Sequence, residues 1–289
     1  MLVAGVQLSS RPGEVEYNLQ RAEDLVKTAA GQGARLICLS EYFSTGSFTL
    51  EAKAENRRLA EPLEGRTILR LCKLARALGV GLIVPFYEHV ESGDLYFNAV
   101  AVIGGEGRVL GTYRKQHIPR SGAFEHYYFS PGDLGSPVFR FGELTFGILV
   151  CYDRHFFELP RLLALKGAQT IFVPAGICAK IGRGFLWPYE LVCAAVNNGV
   201  YVVGVNNCGS LTDGRQFTGG SLAIDPEGTT LSRLDTEEGF VLADLHTERV
   251  EYAKDRLMTA GGFRPEILAE LMDLYRTLPT SGADSDESH

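Results

Sequence analysis

The sequence holds one tryptophan, three methionines and six histidines in 289 residues, and its six cysteines include no Cys-x-x-Cys pair. Cys38, Cys72, Cys151, Cys178, Cys193 and Cys208 lie far apart, mostly in apolar strand-like or helix-like runs. That spacing suits reduced thiols better than a disulfide framework or a zinc site. An excess of basic charge is missing too: 28 Lys and Arg stand against 35 Asp and Glu, a net charge of -7. A phosphate-binding face needs the opposite sign, so no nucleic-acid partner is expected. No apolar run approaches the roughly 20 residues of a membrane span; the longest, such as Phe146–Val150 and Val200–Val205, have the length of strands. The opening Met-Leu-Val-Ala-Gly-Val-Gln has neither the basic start nor the long apolar segment of a secretory signal. A cytoplasmic protein without a membrane partner is the expectation. What is present, 45% hydrophobic and 22% charged residues, is enough to bury a substantial core.

Apolar runs alternate with helical spacing along the chain. Strands are predicted at Leu2–Leu8, Arg35–Ser40, Val80–Pro85, Asn98–Ile103 and Arg108–Tyr113, with helices over Val15–Ala30 and Ile68–Leu78. A second round puts strands at Pro137–Phe141, Leu144–Val150, Thr170–Val173, Tyr201–Val205, Ser221–Asp225 and Phe240–Asp244. Its helices are Glu158–Lys166, Leu186–Asn197, Thr247–Asp255 and Pro265–Tyr275. With no Pro/Ser-rich linker, residues 1–280 read as a single α/β domain mixing parallel crossovers with hairpins, followed by a disordered polar tail over 281–289.

In α/β sheets, reactive side chains gather just past the carboxyl ends of strands. Three residues stand at such exits: Glu41 after Leu36–Ser40, Lys115 after Tyr113, and Cys151 after Phe146–Val150. Together they form a coherent set. A thiol attacks a carbonyl as thiolate and needs a base, which Glu41 supplies; Lys115 and the Tyr152 N–H suit a developing oxyanion. Taken singly, each residue is as well explained by core packing or a solvated loop. The dense polar run from Cys151 to Glu158 favours the reactive reading, since a plain connection needs few such groups. A Cys151–His155 protease dyad is a rival, but such dyads join distant segments rather than residues four apart.

Ser40-Glu41-Tyr42-Phe43, Tyr113-Arg114-Lys115-Gln116-His117-Ile118-Pro119 and Val150-Cys151-Tyr152-Asp153-Arg154 resemble, in order, the three signature blocks of the nitrilase superfamily of carbon–nitrogen hydrolases. Val3–Gln7, Ser130-Pro131-Gly132-Asp133 and Pro174-Ala175-Gly176 extend the resemblance over nearly the whole chain. It implies a four-layer αββα sandwich of two mixed sheets and a catalytic triad that uses no metal and no cofactor. In that triad Glu41 is base and acid, Lys115 the oxyanion stabiliser and Cys151 the nucleophile. Glu125 matches a second glutamate that many members carry between the Lys and Cys blocks. A homodimer or higher homo-oligomer is implied as well, with Arg256–Arg264 placed to reach across the interface.

Lys115–Arg120, Phe124-Glu125, Cys151–His155 and Phe185–Glu190 are most similar to the N-carbamoyl amino-acid amidohydrolases, β-ureidopropionase especially. The resemblance implies hydrolysis of the ureido group of an N-carbamoyl amino acid, a small-molecule substrate, through a cysteine thioester with release of ammonia. Arg154 would receive the substrate carboxylate, since a guanidinium is its bidentate partner. Tyr42, His117, Tyr152, His155 and Trp187 complete the expected substrate contacts. Two departures from the D-amino-acid carbamoylases are His155, where these carry a second Arg, and Ala123, where they carry a His. An aliphatic amidase or ω-amidase, and an N-carbamoylputrescine amidase, use the same machinery. A catalytically silent binding homologue is the reading from another class.

Overall fold

The computed structural model describes residues 1–178, 184–211, 214–259 and 264–277. Its first half runs β1 (Leu2–Gln7), α1 (Val15–Gly31), β2 (Leu36–Leu39), α2 (Arg66–Leu78), β3 (Gly81–Val90), β4 (Leu95–Ile103), β5 (Val109–Arg114) and the single turn α3 (Glu125–Tyr128). The second half runs β6 (Val138–Phe141), β7 (Leu144–Ile148), α4 (Glu158–Leu165), β8 (Thr170–Pro174), α5 (Trp187–Asn198), β9 (Tyr201–Val205), β10 (Leu222–Ile224), β11 (Thr230–Arg233), β12 (Gly239–Asp244), α6 (Thr247–Lys254) and α7 (Pro265–Thr277). The tail over 281–289 and residues 260–263 of the expected interface segment lie outside the described residues.

The strands form two six-stranded sheets, ordered β12-β1-β2-β3-β4-β5 and β11-β10-β9-β8-β7-β6. Both follow one plan. In the first, β1, β2 and β3 are parallel, with β4 and β5 antiparallel hairpin strands on one side and β12 antiparallel on the other. In the second, β7, β8 and β9 are parallel, flanked by β6 on one side and by β10 and β11 on the other.

Alternation along the strands builds three apolar layers. Cys38, Ile83, Val100 and Val102 meet Phe146, Ile148, Phe172 and Val203 between the sheets. On the outer face of the first sheet, Ile37, Leu39 and Leu82 pack against Leu19, Val26, Leu71 and Ala75 of α1 and α2. On the outer face of the second, Ile171, Val173 and Val202 pack against Leu159, Leu163, Leu191 and Ala195 of α4 and α5. Helix, sheet, sheet, helix is the αββα order. Strands buried on both faces read as unbroken apolar runs, which is how β2, β8 and β9 look in the sequence. Among the described residues no helix is long and apolar enough to cross a membrane.

The site follows from the directions of the strands. Because β5 is antiparallel to β4, and β4 to β3, β5 leaves its sheet on the same side as β2. Glu41 and Lys115 therefore emerge together. Cys151 and Gly176 leave the parallel strands β7 and β8 of the facing sheet.

Candidate active site

Glu41, Lys115 and Glu125 form a buried chain of charges. Lys115 Nζ lies 3.1 Å from Glu41 Oε1 and 2.6 Å from Glu125 Oε2, and Lys115 and Glu41 are 0% and 1% exposed. Ions taken so far from water must compensate one another. Burial acts to lower the Lys115 pKa, but Glu125 and Glu41 outweigh it and hold the ammonium well above its usual range. The Glu125 carboxyl is pushed up to about 7, by burial first, against the attraction of Lys115, with Glu41 raising it further. Two carboxylates on one cation thus favour keeping a proton between them.

Cys151 and Glu125, the outer member of this chain, line one pocket of about 550 Å³. The polar wall carries Tyr42, Glu125, Cys151, Tyr152, Arg154 and His155, while Leu50, Pro119, Phe156 and Ile177 supply apolar surface. Burial and the charge of Glu41 push the thiol up to about 12, while Lys115 and Arg154 pull it down. At neutral pH the sulfur is therefore protonated and requires a base. The Oε2 of Glu41 is buried with no hydrogen-bond partner among the described residues, and it sits beside Gly176, where an added Cβ would come to 3.4 Å. Here is an acceptor free to take a proton.

Backbone strain marks the same place. Cys151 and Tyr42 are two of the three non-glycine residues with positive φ among those described, at 47° and 59°. Such conformations cost of order 1–3 kcal/mol and persist where the surroundings impose them. At Cys151 the imposing groups are clear. Asp153 Oδ2 accepts from the Val150 N–H at 3.0 Å and from Tyr113 Oη at 2.7 Å. Arg154 Nη1 donates to the Cys151 carbonyl at 2.8 Å and lies 3.8 Å from its Sγ.

The structure brings Glu41, Lys115 and Glu125 into contact and sets Cys151, Tyr42, Tyr152, Arg154 and His155 around one cavity. It places neither His117 nor Trp187 on that wall. The His117 imidazole is held 3.0 Å from Asp153 Oδ1 and stacks behind Phe156 at 3.6 Å. Trp187 is buried, donates to the Gly220 carbonyl at 2.8 Å, and underlies Arg154. Arg154 itself is not a bare cation: its Nε donates to Glu190 Oε2 at 2.8 Å, and its side chain is 4% exposed.

Several supporting residues went unread in the sequence. Asn98 on β4 donates to Glu41 Oε1 at 2.7 Å and to Tyr42 Oη at 3.1 Å. Asn207, just past β9, donates to the Glu41 carbonyl at 2.6 Å while accepting from Ser40 Oγ at 2.6 Å. A lone Asn in an apolar strand, and an Asn pair at a strand exit, are signals that buried polar groups need partners. Glu190 offered no such signal. Among the described residues no group of three or more His, Cys, Asp or Glu side chains is arranged to hold a metal ion.

Residues 2–255 match the carbon-nitrogen hydrolase family model. The chain belongs to this family. Among the carbon-nitrogen hydrolases, an N-carbamoylputrescine amidase of Arabidopsis thaliana is 36% identical over 282 residues, covering 92% of this chain and 91% of its own. A beta-ureidopropionase of the same plant is 26% identical over 275 residues, 88% of this chain and 67% of its own. In structure, the amidase from Nesterenkonia sp. AN1, a nitrilase-superfamily member, aligns with a TM-score of 0.77 at 28% identity, over 94% of this chain and 97% of that one. Its variants have been solved with acrylamide, and with the acetamide moiety of fluoroacetamide added covalently at the active-site cysteine. This chain is likewise an enzyme, a carbon–nitrogen hydrolase of amide or carbamoyl substrates.

Proposed function

We propose that this enzyme hydrolyses the terminal ureido group of an N-carbamoyl amino acid, with Cys151 as nucleophile, Glu41 as base and acid, and Lys115 as oxyanion stabiliser. The observation that carries the chemistry is the Oε2 of Glu41, buried without a hydrogen-bond partner among the described residues, beside Gly176 of the pocket whose thiol is held neutral. Glu41 takes the thiol proton as sulfur attacks the ureido carbon, and Lys115, with the Tyr152 N–H, receives the oxyanion. The same proton then leaves on ammonia. Water deprotonated by Glu41 releases the carbamoyl group from sulfur, and the freed carbamate loses carbon dioxide to give the amino acid. Glu125 keeps Lys115 in place. The substrate carboxylate takes guanidinium hydrogens of Arg154 beyond those on Nε and Nη1 that Glu190 and the Cys151 carbonyl already engage, with His155 beside it.

A second reading is favoured by one observation, the pairing of Arg154 with Glu190. A guanidinium already compensated attracts a carboxylate less, which suits a simple carboxamide or a carbamoylated amine such as N-carbamoylputrescine. Ammonia release from N-carbamoyl-β-alanine, N-carbamoyl L- and D-amino acids, N-carbamoylputrescine and aliphatic amides decides between them. Turnover of the acidic ureido compounds supports the first reading; turnover of the amine or amides alone overturns it in favour of the second.

A further inference from the structure

We propose that Glu190, a residue of α5 outside the wall of the nucleophile's pocket, is the specificity-determining carboxylate that sets how much positive charge Arg154 presents to a substrate. The proposal rests on the reading of Cys151 as nucleophile and deepens it. Arg154 and His155 line two cavities at once: the pocket of Cys151 and an adjoining groove between α4 and α5, which Glu190 also lines. The pair forms a partition with substrate space on one side and Glu190 on the other. One carboxylate oxygen accepts from Arg154 Nε, and the other is paired with His155 Nδ1. Burial works to raise the Glu190 pKa, but the His155 hydrogen bond and the charge of Arg154 outweigh it, so the carboxyl stays below its usual range and charged.

A cation as buried as Arg154 requires a counter-ion. Among the described residues Glu190 is the carboxylate ion-paired with Arg154, and supplying that ion from behind the partition weakens the pull of the guanidinium on an incoming anion. A neutral substrate is indifferent to this offset, whereas a carboxylate-bearing one is held less tightly. Glu190 therefore acts through Arg154 without touching the substrate.

The probe pair iodoacetate and iodoacetamide differs in charge at nearly constant shape. With either, the Cys151 S–C bond forms, the C–I bond breaks, iodide leaves, and the thiol proton passes to Glu41. The ratio of the two alkylation rates at Cys151, read by peptide mass mapping, reports the potential at the sulfur whatever the natural substrate is. Glu190→Gln, which keeps the shape and removes the charge, is expected to raise the iodoacetate-to-iodoacetamide ratio about tenfold over wild type, equivalent to about 1.4 kcal/mol. Arg154→Gln is expected to lower it by a similar factor. The double variant Arg154→Gln/Glu190→Gln, which leaves no unpaired buried charge and so guards against loss of fold in either single variant, should return to the wild-type ratio. An unchanged or lowered ratio in Glu190→Gln, or a tenfold departure in the double variant, overturns the proposal. Absence of ammonia release from every substrate would overturn the functional reading alone, since the alkylation ratio is measured without turnover.

Discussion

The ammonium of Lys115 lies closer to Glu125 than a usual amine-to-carboxylate hydrogen bond requires, at 2.6 Å from Oε2, and it is wholly shielded from solvent. The Glu125 carboxyl is pushed up to about 7 from an ordinary 4.5, so the folded chain binds that proton more tightly than the unfolded chain. Between these values the folded state holds more protons, and the stability contributed by this group falls as pH rises through the window. Three outcomes follow for Glu125→Gln. Its urea stability relative to wild type should improve from pH 5 to about pH 7 and level off above that. Its kcat should fall at least about tenfold, about 1.4 kcal/mol of barrier, and its pH–rate profile should lose an inflection near 7. A profile unchanged around pH 7 would remove Glu125 from the role of holding Lys115.

With the Cys151 thiol pushed up to about 12, the proposed reaction needs a base at neutral pH, the part assigned above to Glu41. Glu41→Gln should abolish ammonia release and also slow alkylation of Cys151 by iodoacetamide at pH 7.5 by about tenfold or more, the effect of losing a positioned base. Raising the pH toward 10 should restore alkylation in the variant but not turnover, because ammonia still lacks its proton donor. Cys151→Ala should keep the fold and lose turnover entirely. Full alkylation of Glu41→Gln at pH 7.5 would show a preformed thiolate and contradict this division of labour.

How much of this was legible in the sequence depended on how local each cause is. Glu41, Lys115 and Cys151 stood out because each follows a predicted strand, and strands that run in the same direction through a sheet deliver their exits to one side. The limits of β9 coincide with the predicted Tyr201–Val205. By contrast, β3 continues to Val90, past the predicted stop at Pro85. Its ladder with β2 ends at the pair Cys38–Ile83, so at Pro85 β3 pairs with β4 alone, and a proline can sit there. The edge strand β11 was unread because its residues are mostly exposed and carry no apolar alternation. Glu190 stands 36 positions from Arg154, and nothing local relates them. An isolated Arg in a strand-exit loop thus reads as available for substrate, when the tertiary structure had already given it a partner.

Gly132, within the Ser-Pro-Gly-Asp segment, is required by close approach rather than by an unusual φ. A Cβ there would sit 2.2 Å from the Arg114 carbonyl oxygen and 2.7 Å from its carbon, while the Gly132 N–H donates to the Lys115 carbonyl at 2.8 Å. Backbone cannot rotate away as a side chain can. Gly132→Ala should therefore displace the chain at Lys115, costing about 1–3 kcal/mol of stability as overpacking does and lowering kcat more than it alters KM. A variant with wild-type urea midpoint and activity would show that this loop yields without moving Lys115.

Asp153 links two strand exits through four hydrogen bonds, and every donor matters because the carboxylate is completely buried. Oδ2 takes Tyr113 Oη and the Val150 N–H; Oδ1 takes the His117 N–H at 2.9 Å and its imidazole Nδ1 at 3.0 Å. Tyr113 and His117 bracket Lys115, and Val150 precedes Cys151, so one side chain fixes ammonium and thiol relative to each other. Asp153→Asn retains the volume but turns one acceptor into a donor facing other donors. Leaving buried donors unpaired costs about 1–3 kcal/mol, and the urea midpoint should fall accordingly. The drop in kcat should exceed the change in KM, because the lost element is registry between the thiol and the ammonium rather than substrate contact. His117→Phe removes only the imidazole bond, at a residue half-exposed behind Phe156 and off the pocket wall, and should cost less on both counts. Were His117→Phe as damaging as Asp153→Asn, the imidazole rather than the carboxylate would be the element that holds the two exits together.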